Sequence, residues 1–334
     1  GLGINATDKD YKEAGATILK TAKDVFAKSD MIVKVKEPQP VEWKQLRPDQ
    51  ILYTYLHLAP DPAQTKGLLQ SGCTAVAYET VTDTTGGLPL LAPMSEVAGR
   101  LSIQAAATSL QKPNGGRGKL MGGVPGVAPA NVVVVGGGVV GTHAAKMAVG
   151  LGANVTILDR SLPRLRELDD LFGGRITTRF STAEALEECV SEADAVIGAV
   201  LIPGASAPKL VTRKMLKKMR KGAVLCDVAI DQGGCFETSK ATTHAEPTYV
   251  IDDVVHYCVA NMPGAVARTS TQALTSATLP YVVKLANGGY RKVLREDRHF
   301  AAGLNVHAGQ LTIAEVGAAF GMPVISLEDA LAKG

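Results

Sequence analysis

The stretch Asn131-Val-Val-Val-Val-Gly-Gly-Gly-Val-Val-Gly141 decides the fold of this chain. Its apolar run predicts a buried strand that ends in a glycine-rich turn and leads directly into an alanine-rich helix. Gly136 allows the tight turn, Gly138 lets the backbone approach a pyrophosphate, and Gly141 lets the helix pack closely on the strand. The N-terminus of that helix attracts phosphate charge. The pattern therefore predicts a dinucleotide-binding site.

The residue that ends the next strand predicts which dinucleotide is bound. The run Asn154-Val-Thr-Ile-Leu158 leads to Asp159, about 20 residues after the glycines, where an acid can bind a ribose 2′-hydroxyl. A carboxylate there accepts both hydroxyls of an NAD ribose and repels the 2′-phosphate of NADP. Arg160, Arg164 and Arg166 are close, and they either lie over the adenine or face solvent. NAD is therefore the predicted cofactor. The alternative interpretation, an ordinary glycine-rich turn between two elements, would leave the position of Asp159 unexplained.

The composition is typical of an α/β protein. A chain of 334 residues is long enough for two domains, and 46% hydrophobic with 4% aromatic residues suits an alanine-, valine- and glycine-rich fold. The net charge of +3 comes without a long basic run. The densest basic patch, Lys214–Lys221, has helical spacing and precedes Gly222, which indicates a solvated helix end. The charge pattern gives no support for nucleic-acid binding.

The cysteines and the hydropathy pattern bear on the compartment. Five cysteines are scattered along the chain, without the spacing of metal ligands, at positions 73, 189, 226, 235 and 258. They indicate reduced thiols in a cytoplasmic protein, and no metal site is expected. No stretch is long and apolar enough to span a membrane, and we expect no secretory signal.

The alternation of predicted strands and helices indicates two α/β domains, one inserted into the other. Residues 1–89 and 268–334 form the predicted substrate domain, and residues 90–267 form the predicted NAD-binding Rossmann domain. The apolar runs of the inserted domain have the spacing of a doubly wound parallel sheet. They lie at 131–135, 154–158, 194–200, 223–229 and 248–252. The runs of the substrate domain predict strands at 31–36, 51–56 and 74–78, after short helices within 11–29.

Two long helices are predicted where the chain passes between the domains. The first begins with Ser95 as its N-cap and runs to about Leu110, and the second runs from Thr269 to Asn287. After the second helix the remainder is expected to be helical, with a short apolar segment at Val324.

Polar residues at predicted strand ends suggest the chemistry. Ligands of open α/β sheets bind outside the carboxyl ends of the strands. Lys36 and His57 end two strands of the first domain, and Asp231 lies just past a strand of the second. Beside a nicotinamide, these side chains suit a carbonyl or an imine: the lysine can bind an oxyanion or a carboxylate, the histidine can carry a proton near neutral pH, and the aspartate can stabilise positive charge or take a proton.

Each of these residues also has a structural interpretation. Lys36 could be a solvated strand-end lysine, and Lys34 is an equal candidate on periodicity alone. His57 could be a core histidine that is satisfied by a carbonyl. Asp231 could be a turn-forming aspartate before Gln232 and two glycines. Spacing leaves these alternatives open.

The longer motifs resemble those of the bacterial L-alanine dehydrogenase family, within the wider alanine dehydrogenase and transhydrogenase family, essentially from end to end. The matching segments are Lys34–Pro38, Thr54–Ala59, Tyr78–Val81, Pro89–Gly99, Met121–Gly126, Ile197–Leu201, Asp227–Glu237 and Cys258–Pro263. The resemblance implies an NAD-dependent amino-acid dehydrogenase, an oxidoreductase of L-alanine catabolism. It converts L-alanine, NAD⁺ and water to pyruvate, ammonium and NADH. It also implies a homohexamer.

The resemblance assigns roles to particular residues. Lys36 contacts the substrate carboxylate and carbonyl, His57 lies next to the reacting carbon, and Asp231 lies near the nicotinamide and the substrate nitrogen. Either His57 or Asp231 could be the general base. Asn261 and Met262 are further substrate-site residues. The implied cofactor-binding residues are Ser95, Gly136, Gly138, Gly141, Asp159, Arg164, Ser181 and Val200.

One family segment is not found in the sequence, and two alternative functions follow. The family opens with a strand and an arginine-bearing segment, Glu-Asn-Arg-Val-Ala, that binds the substrate carboxylate, whereas this sequence begins at Gly1-Leu-Gly. We expect that this is not the natural start. A molecule without the segment would be an inactive truncated fragment that still binds NAD. The other alternative is the NAD(H)-binding subunit of a proton-translocating transhydrogenase, which presents NADH to a partner subunit.

Overall fold

The computed structural model describes residues 1–200 and 207–332, which fall into two compact units. The first unit contains residues 1–93 and 267–332, and the second contains residues 94–200 and 207–266. Leu201, the last residue of one family motif, and the final two residues of the predicted substrate domain lie outside the described residues. Within those residues, none of the helices combines the length and apolarity that crossing a bilayer requires.

The elements are numbered in chain order. The strands are β1 (Met31–Val33), β2 (Ile51–Thr54), β3 (Thr74–Ala77), β4 (Asn131–Val135), β5 (Asn154–Asp159), β6 (Thr177–Phe180), β7 (Ala195–Gly198), β8 (Val224–Asp227), β9 (Thr248–Ile251), β10 (Val254–Tyr257), β11 (Leu304–His307) and β12 (Gln310–Leu311). The helices are α1 (Asp8–Glu13), α2 (Ala22–Lys28), α3 (Pro40–Trp43), α4 (Pro62–Ser71), α5 (Ala92–Ser109), α6 (Val139–Gly150), α7 (Leu162–Phe172), α8 (Ala183–Glu192), α9 (Arg213–Leu216), α10 (Ala267–Gly288), α11 (Tyr290–Glu296), α12 (Arg298–Ala301), α13 (Ala314–Phe320) and α14 (Leu327–Ala332). Short 3₁₀ turns cover Leu2–Ile4, Tyr78–Thr80, Lys112–Asn114, Val228–Gln232 and Met262–Val266.

The first unit is built on a mixed sheet with the strand order β1-β2-β3-β11-β12. Strands β1, β2 and β3 run parallel, whereas β11 pairs antiparallel with β3 and β12 pairs antiparallel with β11. One core contains the buried side chains of Leu52, Leu68 and Val306. A second set of buried rings includes Tyr53 and Tyr78, which meet edge to face with centroids 4.5 Å apart. Because β2 and β3 are parallel, the chain leaves both strands at the same edge of the sheet.

The second unit confirms the predicted doubly wound Rossmann fold. Its strand order is β6-β5-β4-β7-β8-β10-β9, and all neighbouring pairs are parallel except β9 with β10. The order reverses between β4 and β7, which is the point where such sheets bind ligands. The residues of β4 face two cores alternately, with Val132 and Val134 in one and Val133 and Val135 in the other. A strand buried on both faces needs this continuous apolar run.

Several predicted boundaries of helices and strands were wrong. Helix α5 begins at Ala92, so Ser95 lies inside the helix and is not its N-cap. Strand β1 ends at Val33, which leaves Lys36 in the loop that follows. The strand predicted to reach residue 229 ends at Asp227, and Asp231 lies on the 3₁₀ turn that follows.

Strands β6, β10, β11 and β12 were missed, and β9 was wrongly assigned to a wholly parallel sheet. Strand β6 is not a run of apolar residues, and none of its positions is fully buried. The run at 248–252 is an antiparallel edge strand, because Asp252 and Asp253 both take positive φ values, 50° and 62°, and turn the chain back into β10. The region after α10 is not wholly helical, since β11 joins the first sheet. Its Asn305 and His307 are buried polar residues, which break the apolar pattern of a central strand.

Candidate functional site

The glycine-rich turn after β4 has two glycines that the fold itself requires. Gly136 has φ 102°, and its amide donates to the carbonyl of Leu158 at 2.8 Å. A Cβ on Gly141 would lie 1.8 Å from the carbonyl oxygen of Gly136, so α6 can begin there only with glycine. By contrast, a Cβ on Gly138 would meet no atom within 4 Å. The open space at Gly138, directly before the amides of the first turn of α6, fits a pyrophosphate.

Asp159 joins this turn to the next helix. Its Oδ2 accepts from the Gly137 amide at 2.7 Å, and its Oδ1 accepts from the Ser161 amide at 2.8 Å. Ser161 is in turn the N-cap of α7, whose first turn carries Arg164. Each carboxylate oxygen keeps a free lone pair, so Asp159 can still accept the two ribose hydroxyls of a nucleotide.

The Arg164 side chain is bound to the turn and does not face solvent freely. Its Nε donates to the Gly137 carbonyl at 2.8 Å, and an Nη donates to Thr142 Oγ1 at 2.8 Å. Glu167 pairs with the same guanidinium at 2.6 Å. Because Glu167 offsets its charge, Arg164 offers a planar surface at the turn more than a free cation for a 2′-phosphate.

The other predicted cofactor residues lie around the same turn. The Ser181 amide donates to the carbonyl of Asp159 at 2.9 Å, and the Val200 side chain is 3.2 Å from where a Gly136 Cβ would be. Helix α5 packs against α6 so closely that a Cβ on Gly99 would lie 2.3 Å from the Val140 carbonyl. Ser95 precedes Gly99 by four residues and so lies on the same face of α5.

Asp231, Asn261 and Met262 come together in the second unit. Asp231 is exposed, and its Oδ2 accepts from the Asn261 amide at 3.3 Å. Asn261 has φ 59°, a left-handed conformation that asparagine tolerates better than most residues. Met262 is buried to 2% exposure directly after it. The structure therefore places the exposed carboxylate of Asp231 against the backbone of Asn261, and the Met262 side chain packs in the core directly after it.

Asp227, which sequence reasoning did not assign to the site, holds the loop that carries Asp231. It is completely buried at the end of β8. Its carboxylate accepts from the amides of Ala229 at 3.1 Å, Cys235 at 2.9 Å and Phe236 at 3.3 Å, and also from the Ser239 hydroxyl. Burial raises the pKa of Asp227, while these hydrogen bonds act in the opposite direction. In the sequence, the signal for this role of Asp227 was a polar residue in an otherwise apolar strand.

The two candidate lysines of the first unit have different partners. The Lys34 ammonium forms an ion pair with Glu42 of α3, and the Lys34 side chain is 21% exposed. The Lys36 side chain is 44% exposed, and its ammonium lies 3.4 Å from Glu37 Oε2. The Lys36 carbonyl accepts from the Thr54 hydroxyl at 3.0 Å, so its backbone is fixed to the end of β2. Lys36 is thus the more available of the two for an anionic ligand.

His57 and Lys36 both contact the carboxylate of Glu37. The His57 Nε2 is 3.7 Å from Glu37 Oε1, and the His57 Nδ1 is 3.8 Å from Glu79 Oε1. The imidazole stacks on the ring of Tyr55, with centroids 5.7 Å apart and planes within 2°. The side chain is 27% exposed, so His57 is not a core histidine. A partly exposed imidazole between carboxylates is well suited to carry a proton.

The fold and these two groups of residues define a class: an NAD-binding α/β protein with a lysine and a histidine in the loops that follow two strands of its other unit. The comparisons with known proteins identify the family. Residues 1–98 match the family model described as "Alanine dehydrogenase/PNT, N-terminal domain". Residues 102–314 match the family model described as "Alanine dehydrogenase/PNT, C-terminal domain". The chain belongs to the alanine dehydrogenase/PNT family.

Individual relatives agree with this assignment. The alanine dehydrogenase of Halomonas elongata is 63% identical over 97% of this chain and 88% of its own length. That of Mycolicibacterium smegmatis is 56% identical over 93% of this chain and 84% of its own. A solved L-alanine dehydrogenase has 53% identity and a TM-score of 0.89, covering 96% of this chain and 88% of that one. A transhydrogenase from Sinorhizobium meliloti is more distant, with 25% identity and a TM-score of 0.75 over 94% of this chain and 88% of that one.

Substitutions of Gly141 and Gly138 distinguish a glycine that the fold requires from a glycine that leaves space for the cofactor. Gly141→Ala forces a Cβ into the Gly136 carbonyl, so it should lower the free energy of unfolding by about 2 kcal/mol or more. Gly138→Ala meets no protein atom, so it should leave the melting temperature unchanged and weaken NADH binding at least roughly 10-fold. Calorimetry and NADH fluorescence titration measure both effects. Full NADH affinity in Gly138→Ala would contradict the placement of the pyrophosphate.

Proposed function

We propose that this chain is an NAD-dependent L-alanine dehydrogenase, which interconverts L-alanine, NAD⁺ and water with pyruvate, ammonium, NADH and a proton. The observation that carries the proposal is the grouping of Lys36, Glu37 and His57 in the loops that follow β1 and β2 of the first unit. A protein that only presents NADH to a partner needs no such group, whereas an enzyme acting on a small keto acid does. The 63% identity to an alanine dehydrogenase supports the same conclusion.

Lys36 supplies the charge that binds the keto acid. Its ammonium is accessible and lies on a backbone held by Thr54. It binds the carboxylate of pyruvate and polarises the adjacent carbonyl oxygen, which develops negative charge as the carbonyl carbon is attacked. Asn261 and Met262 are proposed as further contacts of the substrate, because the Asn261 amide donates to Asp231 and Met262 follows it directly in the chain.

His57 and Asp231 share the proton transfers. Forming the imine from pyruvate and ammonium passes through a carbinolamine, and each step moves a proton on or off nitrogen or oxygen. The imidazole of His57 accepts and returns a proton, and the carboxylate of Asp231 stabilises the positive charge of the iminium nitrogen. NAD, when bound, supplies the hydride acceptor for the Cα of L-alanine and, as NADH, the hydride donor to the imine.

The cofactor residues hold NAD in the second unit. Gly138 leaves room for the pyrophosphate at the start of α6, and Asp159 accepts the ribose hydroxyls. Ser95, Arg164, Ser181 and Val200 are proposed to line the same site, together with Gly136 and Gly141. Asp159 makes the site selective for NAD because it repels a 2′-phosphate.

The setting of the enzyme is also part of the proposal. We propose a cytoplasmic homohexamer that works in L-alanine catabolism. The five cysteines are all free thiols, as expected in a reducing compartment. The resemblance to alanine dehydrogenases supports the hexamer.

The direct test is the dependence of NADH oxidation on both small substrates. Purified protein should oxidise NADH only when pyruvate and ammonium are both present, and L-alanine should form in equal amount. In the reverse direction it should reduce NAD⁺ with L-alanine. Absorbance of NADH and chromatography of the amino acid measure the two quantities. NADH binding without turnover under these conditions would favour the transhydrogenase-like function.

Substitutions of the proposed catalytic groups separate chemistry from cofactor binding. His57→Ala and Asp231→Asn should each lower kcat/KM for pyruvate by about 100- to 10,000-fold, while the Kd of NADH changes little. Lys36→Ala should raise the KM for pyruvate and also lower kcat. Lys34→Ala is the matched control, because Lys34 pairs with Glu42 instead of facing a ligand, and it should retain activity. Equal losses in the two lysine variants would contradict the role of Lys36.

A further inference from the structure

Glu79 makes an unusual set of contacts with the backbone at His57. Its Oε1 accepts from the His57 amide at 2.6 Å and from the Leu56 amide at 3.1 Å, and its Oε2 is 3.3 Å from the Leu56 amide. The side chain is 11% exposed. Two successive amides that point at one carboxylate form an anion-binding concavity of the backbone, here filled by the protein itself.

The backbone at His57 needs such a restraint. Its φ is 44°, in the left-handed region that a histidine rarely adopts. Strained conformations of this kind persist only where the surroundings over-determine them. The preceding carbonyl is held as well, since the buried Gln64 donates its Nε2 to the Leu56 oxygen at 2.5 Å. Glu79 on the amides and Gln64 on the carbonyl therefore fix this part of the chain from two sides.

The position of Glu79 follows from the sheet. Strands β2 and β3 are parallel and in register, with Thr54 opposite Ala77. The chain leaving β2 passes through Leu56 and His57, and the chain leaving β3 enters the 3₁₀ turn Tyr78–Thr80 that carries Glu79. Because both chains emerge at the same edge, a side chain just past β3 can reach amides just past β2. The turn is itself anchored by the buried Tyr78, whose hydroxyl donates to the Lys34 carbonyl at 3.0 Å.

The conformation of His57 determines where its imidazole points. A return to an extended backbone would rotate the Cα–Cβ bond and move the ring off Tyr55, on which it now stacks. Tyr55 is fixed in turn, because its hydroxyl donates to the Leu90 carbonyl at 2.6 Å. The charged groups facing the imidazole are Glu79 at Nδ1 and Glu37 at Nε2, and Glu37 is paired with Lys36.

We propose that Glu79 is the positioning residue of His57: its carboxylate binds the amides of Leu56 and His57 and thereby sets the backbone conformation that aims the imidazole. Glu79 acts through its reach and its acceptor oxygens and takes no part in proton transfer. The inference rests on the proposed role of His57 in alanine dehydrogenation.

Three substitutions of Glu79 separate the effect of its side-chain length from the effect of its charge. Glu79→Ala removes both acceptors and should lower kcat for pyruvate amination roughly 100-fold, the cost of a misplaced reacting group. Glu79→Gln keeps the length and one acceptor oxygen, so its kcat should stay within about 10-fold of the wild type. Glu79→Asp keeps the charge but is one methylene too short to reach both amides, so it should be less active than Glu79→Gln. The KM for pyruvate and the Kd of NADH should change little in all three variants.

Glu42→Ala is the matched control. Glu42 also accepts a backbone amide, that of Gln39 at 2.7 Å, and also pairs with a neighbouring cation, but it does not contact His57. Its removal should leave kcat unchanged, even where the melting temperature falls. If Glu79→Ala proves too unstable to assay, the order of Glu79→Gln and Glu79→Asp decides the question.

The contradicting results are distinct from a failure of the proposed function. Wild-type kcat in Glu79→Ala, or Glu79→Asp equal to or better than Glu79→Gln, would overturn the positioning role. A lower melting temperature with unchanged kcat in every Glu79 variant would show a role in stability alone and would also overturn it. His57→Ala is assayed alongside: if that variant keeps its activity, the catalytic role of His57 is wrong. If His57→Ala is inactive and Glu79→Ala is active, only the inference about Glu79 fails.

Discussion

The functional loops of this protein depend on carboxylates that accept backbone amides where the chain leaves a strand. A chain that leaves a parallel sheet loses its ladder partners, and buried amides without acceptors are costly. Asp159 binds the amides of Gly137 and Ser161, Asp227 binds those of Ala229, Cys235 and Phe236, and Glu79 binds those of Leu56 and His57. A charged acceptor makes such hydrogen bonds shorter and stronger than a neutral one does.

Each carboxylate fixes a loop with a different task. Asp159 shapes the turn proposed to accept the pyrophosphate, Asp227 holds the loop with Asp231, and Glu79 holds His57. We propose that these contacts fix the binding and reacting groups of each unit before a ligand binds, which would reduce the ordering that binding and catalysis require. The cost is local: a left-handed histidine and a fully buried aspartate are retained because the loops they serve need them.

The sequence indicated the proposed nucleotide-binding residues more directly than the residues around the proposed substrate-binding groups. The glycine turn, β5 and Asp159 follow one another closely along the chain, so their spacing alone identifies them. Glu79 and Asp227 act across a sheet edge or a loop, and nothing in periodicity distinguishes an acid that binds amides from a solvated one. The lysines show the same limit, because only the contacts with Glu42 and Glu37 separate Lys34 from Lys36.

Predicted elements failed where tertiary packing overrode the local pattern. Ser95 has the chemistry of an N-cap, but helix α5 already begins at Ala92. Strand β6 pairs with β5 despite its polar sequence, and β11 buries Asn305, whose amide is satisfied by Thr80 and Gly303. Asp252 and Asp253 make a tight turn without glycine, so the sequence carried no obvious signal that the chain turns back after β9 into β10.

The central claim is that these carboxylates hold the functional loops in the free protein, and amide hydrogen exchange at single-residue resolution tests it most directly. In the protein without ligand, the amides of His57, Gly137 and Cys235 should exchange far more slowly than their intrinsic rates, although they lie in loops outside the strand ladders. Exchange at these three amides close to the intrinsic rate, with slowing only after NADH and pyruvate are added, would show that ligands order the loops and would contradict the claim.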